Sequence, residues 1–291
     1  MIDEIIKDTK KDNSYDKEAY KQMKREQLQN TYKMIDDACE ELKNGNINFF
    51  KDYLNIQSRF DKYTIRNALL VAKQFPNAMQ LKDRKSWREL KVTFNNKTPN
   101  KILILEPGES YINKDGKKTT PYNAKELIDI SETNSKPNIK YYDKKIILQA
   151  LLHICPIDIK AVDTITVQEE KDNVMCIWDK DNNIVNVCRS DNYDLVINSL
   201  AKEISKINLY EETSEISDDK AQCIGYMISK KYNIDCSLDN ISNIFKDKEI
   251  SDIKNELSSM KNVLDDTNNR IGQYIDEKSK EIKNKDKEME R

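Results

Sequence analysis

The chain has 291 residues, which suits about two domains. Only 5 are Gly and 6 are Pro, which excludes collagen-like chains, Gly-rich linkers and all-β architectures punctuated by those residues. Charged residues make up 34% and hydrophobic ones 37%, with a net charge of -2, so a packed but polar chain is expected. No apolar run approaches the ~20 residues of a membrane span. Met1-Ile2-Asp3-Glu4 lacks the basic stretch and apolar core of a secretory signal. The expectation is a cytoplasmic protein with no membrane partner. The cysteines at 39, 155, 176, 188, 223 and 236 lie far apart, as reduced thiols rather than a disulfide framework.

In chain order, residues 1–15 are polar and aperiodic and read as a mobile leader. From Lys17 to Lys43, Tyr20, Met23, Leu28, Tyr32, Ile35, Cys39 and Leu42 recur with helical spacing, and Asn44-Gly45-Asn46 ends that helix. Two shorter helices follow, from Ile47 to Phe60 and from Thr64 to Gln74, the second stopped by Pro76. A helical piece at Ser86–Leu90 leads to a strand at Ile102–Leu105. Asp115-Gly116 marks a hairpin within Tyr111–Tyr122, and Leu127–Ile130 is a short strand. The stretch from Glu132 to Asn138 is the best linker candidate. Beyond it come a helix at Asp143–Ile154, strands at Met175–Trp178 and Ile184–Cys188, and helices at Asp194–Ile207 and Ser217–Lys231. The class is α+β, in domains 16–136 and 137–250. Over residues 251–291, Ile253, Leu257, Met260, Leu264, Thr267, Ile271 and Tyr274 alternate by four and three. That pattern fits either a helix packed on its own domain or a short self-associating coiled coil, fraying beyond Ile275.

The chain has one histidine, His153, so a two-histidine metal site is impossible. Its apolar neighbours Leu148, Leu151 and Leu152 favour a packed role over a catalytic one. There is no CxxC pair and no GxxxxGK[ST] or GxGxxG loop. No cofactor and no catalytic residue is therefore expected. Charge is the stronger signal. Ile47 to Thr120 carries fifteen basic and seven acidic residues, +8, which leaves -10 for the remainder. Cations interleave there with aromatics, as in Arg59-Phe60, Lys62-Tyr63 and Trp87-Arg88. That mixture suits single-stranded nucleic acid, whose phosphates need cations and whose bases need flat faces. A solvated basic face around core aromatics is the plainer alternative, and Phe60 and Trp87 fit a core.

The segment Gln57–Leu90 resembles the N-terminal domain of ArdC-type antirestriction and LtrC-like proteins. Arg59, Phe60, Tyr63, Thr64, Asn67, Leu70, Gln74, Pro76, Ala78, Trp87 and Leu90 meet the shared pattern. Leu127-Ile128-Asp129-Ile130-Ser131-Glu132-Thr133 is similar to that domain's closing strand, with Leu127 and Glu132 as departures. The resemblance implies a domain that binds single-stranded DNA and, with less preference, duplex DNA. The second half is similar to the ImmA/IrrE-like zincin metallopeptidase domain often fused behind it. In active relatives a helix of the form L-A-H-E-[LI]-[AG]-H supplies two zinc ligands and a general base. Here that helix reads Leu200-Ala201-Lys202-Glu203-Ile204-Ser205-Lys206, and Gln222 stands at the third ligand position. An ammonium cannot donate a lone pair to a metal. The resemblance thus implies a degenerate pseudo-metallopeptidase that keeps only Glu203, which is expected to pair with Lys206 at i,i+3.

These readings combine into a DNA-binding accessory protein of a plasmid, conjugative element or phage. The expected nucleic-acid contacts are Arg59, Lys62, Tyr63, Arg66, Asn67, Arg84, Lys85, Arg88, Lys91, Lys97 and Lys101, with Tyr63 as the stacking residue. Asn67 is equally a structural hydrogen-bonder. The alternative is an interaction factor, an antirestriction inhibitor or regulator, acting through the degenerate cleft and the C-terminal helix on a protein partner.

Overall fold

The computed structural model describes residues 17–165, 174–238 and 241–289, with side chains described as far as Glu281. The leader expected over residues 1–15 lies outside them. Helix α1 (Lys17–Lys43) buries Ile35, Ala38, Cys39 and Leu42. Helices α2 (Ile47–Arg59) and α3 (Ile65–Gln74) start where short polar side chains satisfy the free amides of a first turn. The Asn46 amide oxygen accepts from the Phe49 N–H, and the Thr64 hydroxyl from the Asn67 N–H. Strand β1 (Leu81–Lys82) and helix α4 (Arg84–Glu89, capped by Asp83) precede β2 (Ile102–Pro107). The hairpin strands β3 (Tyr111–Ile112) and β4 (Lys118–Thr119) turn through Gly116, whose φ of 74° suits a residue without a side chain. Strand β5 (Tyr122–Asp129) is longer than the expected Leu127–Ile130. It pairs antiparallel with both β2 and β1, and Ile130 passes into a 3₁₀ turn capped by Asp129.

After an irregular stretch come α5 (Lys144–Ile154), β6 (Asp158–Val162), β7 (Cys176–Asp179) and β8 (Ile184–Cys188). These strands lie in the order β6-β8-β7, with β6 parallel and β7 antiparallel to β8. The reading of the sequence did not include β6. It is an edge strand in which no residue is fully buried, although Ile159, Ala161 and Val162 are apolar. Helices α6 (Tyr193–Thr213), α7 (Asp218–Lys231) and α8 (Ile250–Met289) complete the mixed α+β fold with its C-terminal helix. At the α6–α7 crossing, a Cβ on Gly225 would lie 2.8 Å from the Lys202 amide nitrogen, so only glycine allows the approach.

One apolar core runs through both halves. Phe50 of α2 meets Phe245 edge-on at 5.2 Å, and α7 inserts Cys223, Ile224, Met227 and Ile228 into the same cluster. The heptad seam of α8 is used inside the chain. Ile253, Leu257, Met260, Leu264, Thr267 and Ile271 are all buried, while Lys254 pairs with Asp36 of α1 and Arg270 donates to the Ile154 carbonyl of α5. A smaller cluster of Trp87, Ile128 and Ile130 lies under α4. His153 differs from its expected packed position. Leu151 and Ile154 take the inward face of α5, and the imidazole is exposed, with its ring 5.0 Å from that of Tyr274. All six cysteines are free thiols. Among the described residues no helix is long and apolar enough to cross a membrane.

Candidate nucleic-acid interface

The turn between α2 and α3 carries Lys62 and Tyr63, and it is tied down from several directions. The buried Gln57 amide donates to the Phe60 carbonyl (3.4 Å) and the Tyr63 carbonyl (3.2 Å), and the Phe60 and Tyr63 rings stack at 5.1 Å. Two lysines from the rear half hold Asp61. Lys231 Nζ lies 2.9 Å from its carboxylate, and Lys261 Nζ donates to its carbonyl at 2.8 Å. Burial alone would raise the Asp61 pKa, but the Lys231 and Lys62 interactions outweigh it and hold it below the usual carboxylate value. Burial pushes the Tyr63 phenol up to about 12, so it stays neutral and presents a flat, uncharged face. Lys62, Tyr63 and Thr64 face Ser258, Lys261 and Asn262 of α8 across a groove of about 330 Å³.

Asn67 is placed apart from the other expected contacts. It is buried, its Nδ2 donates to the Leu105 carbonyl (2.9 Å), and its Oδ1 accepts from the Leu105 N–H (2.8 Å). Two helical turns on, Gln74 makes the same pair of bonds with Leu103 at 2.9 Å each. The two amides thus pair with the edge of β2 that β5 leaves open, supplying the hydrogen bonds of a missing strand. Other residues of the sequence pattern also make contacts within the chain. Arg59 donates to the Ala78 carbonyl, Thr64 caps α3, Leu70 is buried, and the Trp87 indole N–H donates to the Ile128 carbonyl at 2.9 Å.

The remaining expected contacts divide by how their charge is used. Arg84 lies over the Phe94 ring at 4.8 Å and reaches the Lys97 carbonyl at 3.4 Å. Lys85 stands 3.9 Å from Glu89, and Lys101 pairs with Glu126 at 2.7 Å. Lys62, Arg66, Arg88, Lys91 and Lys97 are exposed, and among the described residues no carboxylate lies within ion-pair distance of them. Lys91 follows α4 with a φ of 58°, a left-handed residue that ends the helix. The β3–β4 hairpin adds exposed Tyr111 and Ile112 beside Lys114, Lys117 and Lys118.

A second concavity of about 570 Å³ lies between the end of α2 and the rear half, where Lys140, Lys230 and Lys231 join Arg59. Reading along the sequence did not find those lysines. They belong to the acidic remainder of the chain. Lys230 and Lys231 reach this place because α2 packs on α7, and Lys140 because the Asn233 side chain donates to its carbonyl. Burial lowers the Arg59 pKa, opposed by the neighbouring Asp129 charge.

In the rear half, Lys202, Glu203 and Lys206 of α6, expected from the resemblance at the positions of a metal-ligand helix, lie where α6 packs on α7. Lys206 Nζ lies 3.2 Å from the Glu203 carboxylate, the expected i,i+3 pair, and 2.6 Å from Asp218, while Lys202 approaches Asp218 at 3.6 Å. Gln222 lies on α7 one turn after Asp218 and one turn before Gly225, the residue packed on Lys202. Glu203 is 3% exposed, and its carboxylate accepts the Trp178 N–H at 3.0 Å. Desolvation would lower the Lys206 pKa, but Glu203 and Asp218 raise it above its ordinary value. The ammonium therefore stays charged where a metal's charge would be needed, and this donor set does not fit zinc. Among the described residues no three His, Cys, Asp or Glu side chains group to hold a metal ion.

Fold and site together define a mixed α+β protein with a basic front whose cations are mostly without carboxylate partners among the described residues, and a helix pair joined by lysine–carboxylate pairs. No family model and no curated protein matches the chain. It is similar to the crystal structure of the antirestriction ArdC protein from plasmid R388 in its metal-free form, with a TM-score of 0.49, 10% identity, and coverage of 72% of this chain and 86% of that one. The Mn(II)-bound structure of the same protein aligns with a TM-score of 0.43 and 9% identity over 84% of this chain and 95% of that one.

Proposed function

We propose that this protein binds DNA without catalysing a reaction, preferring single strands over duplex, as an accessory protein of a plasmid, conjugative element or phage. One observation carries the reading: Lys62, Arg66, Arg88, Lys91 and Lys97 stand exposed without a carboxylate partner among the described residues, on the half that also presents Tyr63. Cations that neutralise phosphates release the counterions condensed on the nucleic acid, and an aromatic ring held in place is a platform for a base. The mobile-element setting rests on the resemblance of Gln57–Leu90, whose structural residues hold this surface in place. Residues 16–136 are the proposed binding domain. Residues 137–250 are the proposed scaffold, a pseudo-metallopeptidase domain whose ligand positions have become lysine and glutamine. The alternative of an interaction factor acting through α8 has less support, because the apolar seam of that helix is already buried in its own chain.

Fluorescence anisotropy with a labelled oligothymidine tests the reading. Binding should weaken steeply with salt, and Arg88→Ala with Lys91→Ala should lower the salt slope by about 0.7 for each phosphate no longer neutralised. An unchanged slope would remove both residues from the interface. A flat titration at low salt would end the DNA-binding proposal.

A further inference from the structure

The cleft of about 570 Å³ between the end of α2 and the rear half is lined by Arg59, Lys140, Lys230 and Lys231 against one carboxylate, Asp61. Lys231 neutralises Asp61 at 2.9 Å, which leaves Lys140 and Lys230 with no carboxylate within ion-pair distance among the described residues, while Arg59 feels the Asp129 charge from outside the cleft lining without an ion pair to it. Of these three cations, the side chains of two are held in place, and the third is anchored by its backbone. The Arg59 guanidinium rests on the Ala78 carbonyl, Lys230 Nζ lies 5.3 Å from the centre of the Tyr226 ring, and Lys140 belongs to a segment fixed by the Asn233 side chain, which donates to its carbonyl at 2.9 Å. Like charges gathered on one concave surface add to a single positive potential, which draws an anion. The volume lies within the roughly 300–1,000 Å³ of small-ligand sites, enough for part of a nucleic-acid strand. Tyr142 lines the same cleft and is edge-on to Tyr232 at 5.2 Å, which fixes its ring.

We infer that this cleft takes backbone phosphates of a bound single strand, through Arg59, Lys140 and Lys230, so that the acidic rear half supplies part of the binding track. The inference rests on the DNA-binding reading and extends the track beyond the front domain. It explains why the chain brings lysines of its acidic half to face Arg59 while pairing so many of its others.

The test uses the full chain in anisotropy titrations with a labelled oligothymidine, comparing wild type, Lys140→Glu with Lys230→Glu, and Lys62→Ala with Arg66→Ala. All three proteins are first checked for equal thermal unfolding. The cleft variant should bind about tenfold or more weakly, with a salt slope shallower by about 1.4, equivalent to two neutralised phosphates on single strands. If wild type binds and the cleft variant binds equally well with the same slope, the inference fails while the DNA-binding reading stands. If the front variant binds normally and the cleft variant does not, the inference stands and the front contacts fall. If wild type does not bind at all, both fail together. Competition by thymidine monophosphate at fixed ionic strength separates a strand site from a free-nucleotide site. No displacement is expected, and displacement that disappears in the cleft variant would reassign the cleft to mononucleotides.

Discussion

Between Ile47 and Thr120, three of the fifteen basic side chains (Lys73, Lys85 and Lys101) reach a carboxylate among the described residues. Beyond residue 137, eleven of the described lysines and arginines do so, among them Lys206 with Glu203 and Asp218, Lys220 and Lys248 with Glu256, and Lys261 with Asp265. The rear half pairs many of its cations within the chain, and the front half leaves most of its own without a carboxylate partner among the described residues. Charge content alone does not teach this, because a paired lysine and a free one look identical in a sequence.

The contrast between the halves is most easily broken at Lys206. Changing Lys206→Met leaves the Glu203 carboxylate buried with only the Trp178 N–H for company, and should cost about 3–5 kcal/mol in urea unfolding. Adding Glu203→Gln should return part of that loss. A loss below about 1 kcal/mol, the worth of an exposed pair, would mean that this rear pair behaves like a surface one.

Gly225→Ala sharpens the same half. Its Cβ would press on the backbone of Lys202, and the helices must separate, at a cost of about 1–3 kcal/mol read by thermal unfolding. A stabilised variant would show that the helix-propensity gain of alanine wins and that the crossing yields.

In the front half, Asn67→Ala removes both partners of the Leu105 backbone. It should destabilise by about 1–3 kcal/mol while leaving oligonucleotide affinity of the folded protein unchanged. Weaker binding at full folding would return Asn67 to the interface.

The smallest effect is silent at neutral pH. Asp61, Asp218 and Glu256 are desolvated, yet their lysine partners outweigh that and hold their pKa values below the ordinary carboxylate range. Depressed folded values mean that stability is fully present above the unfolded values, about 3.9 for Asp and 4.3 for Glu, and is lost as pH falls through the folded ones. The thermal midpoint should hold from pH 7 to about 5 and drop below about 4. Asp61→Asn should make the drop shallower, and an identical acid profile for that variant would exclude Asp61 from the linkage.

Helix periodicity and caps were legible in the sequence. Lys17–Lys43, Ile47–Arg59 and Ile65–Gln74 could be placed from apolar spacing and from Asn44-Gly45-Asn46, Thr64 and Pro76. The Lys206–Glu203 pair could also be read, because i,i+3 neighbours meet on any helix. His153 could not, since a run of apolar residues does not say which side of a helix faces inward. Strand β6 escaped because an edge strand buries little.

By itself the sequence determined the helical framework, the basic front and the single histidine that excludes a two-histidine metal site, since these depend on residue type and on interactions within a turn or two. Tertiary structure alone decided that Asn67 and Gln74 hold an edge of β2, that α8 spends its apolar seam inside the chain, and that Lys140 and Lys230 stand opposite Arg59. Those placements join residues far apart along the chain. They follow from how helices and sheet pack around one core, which no local pattern encodes.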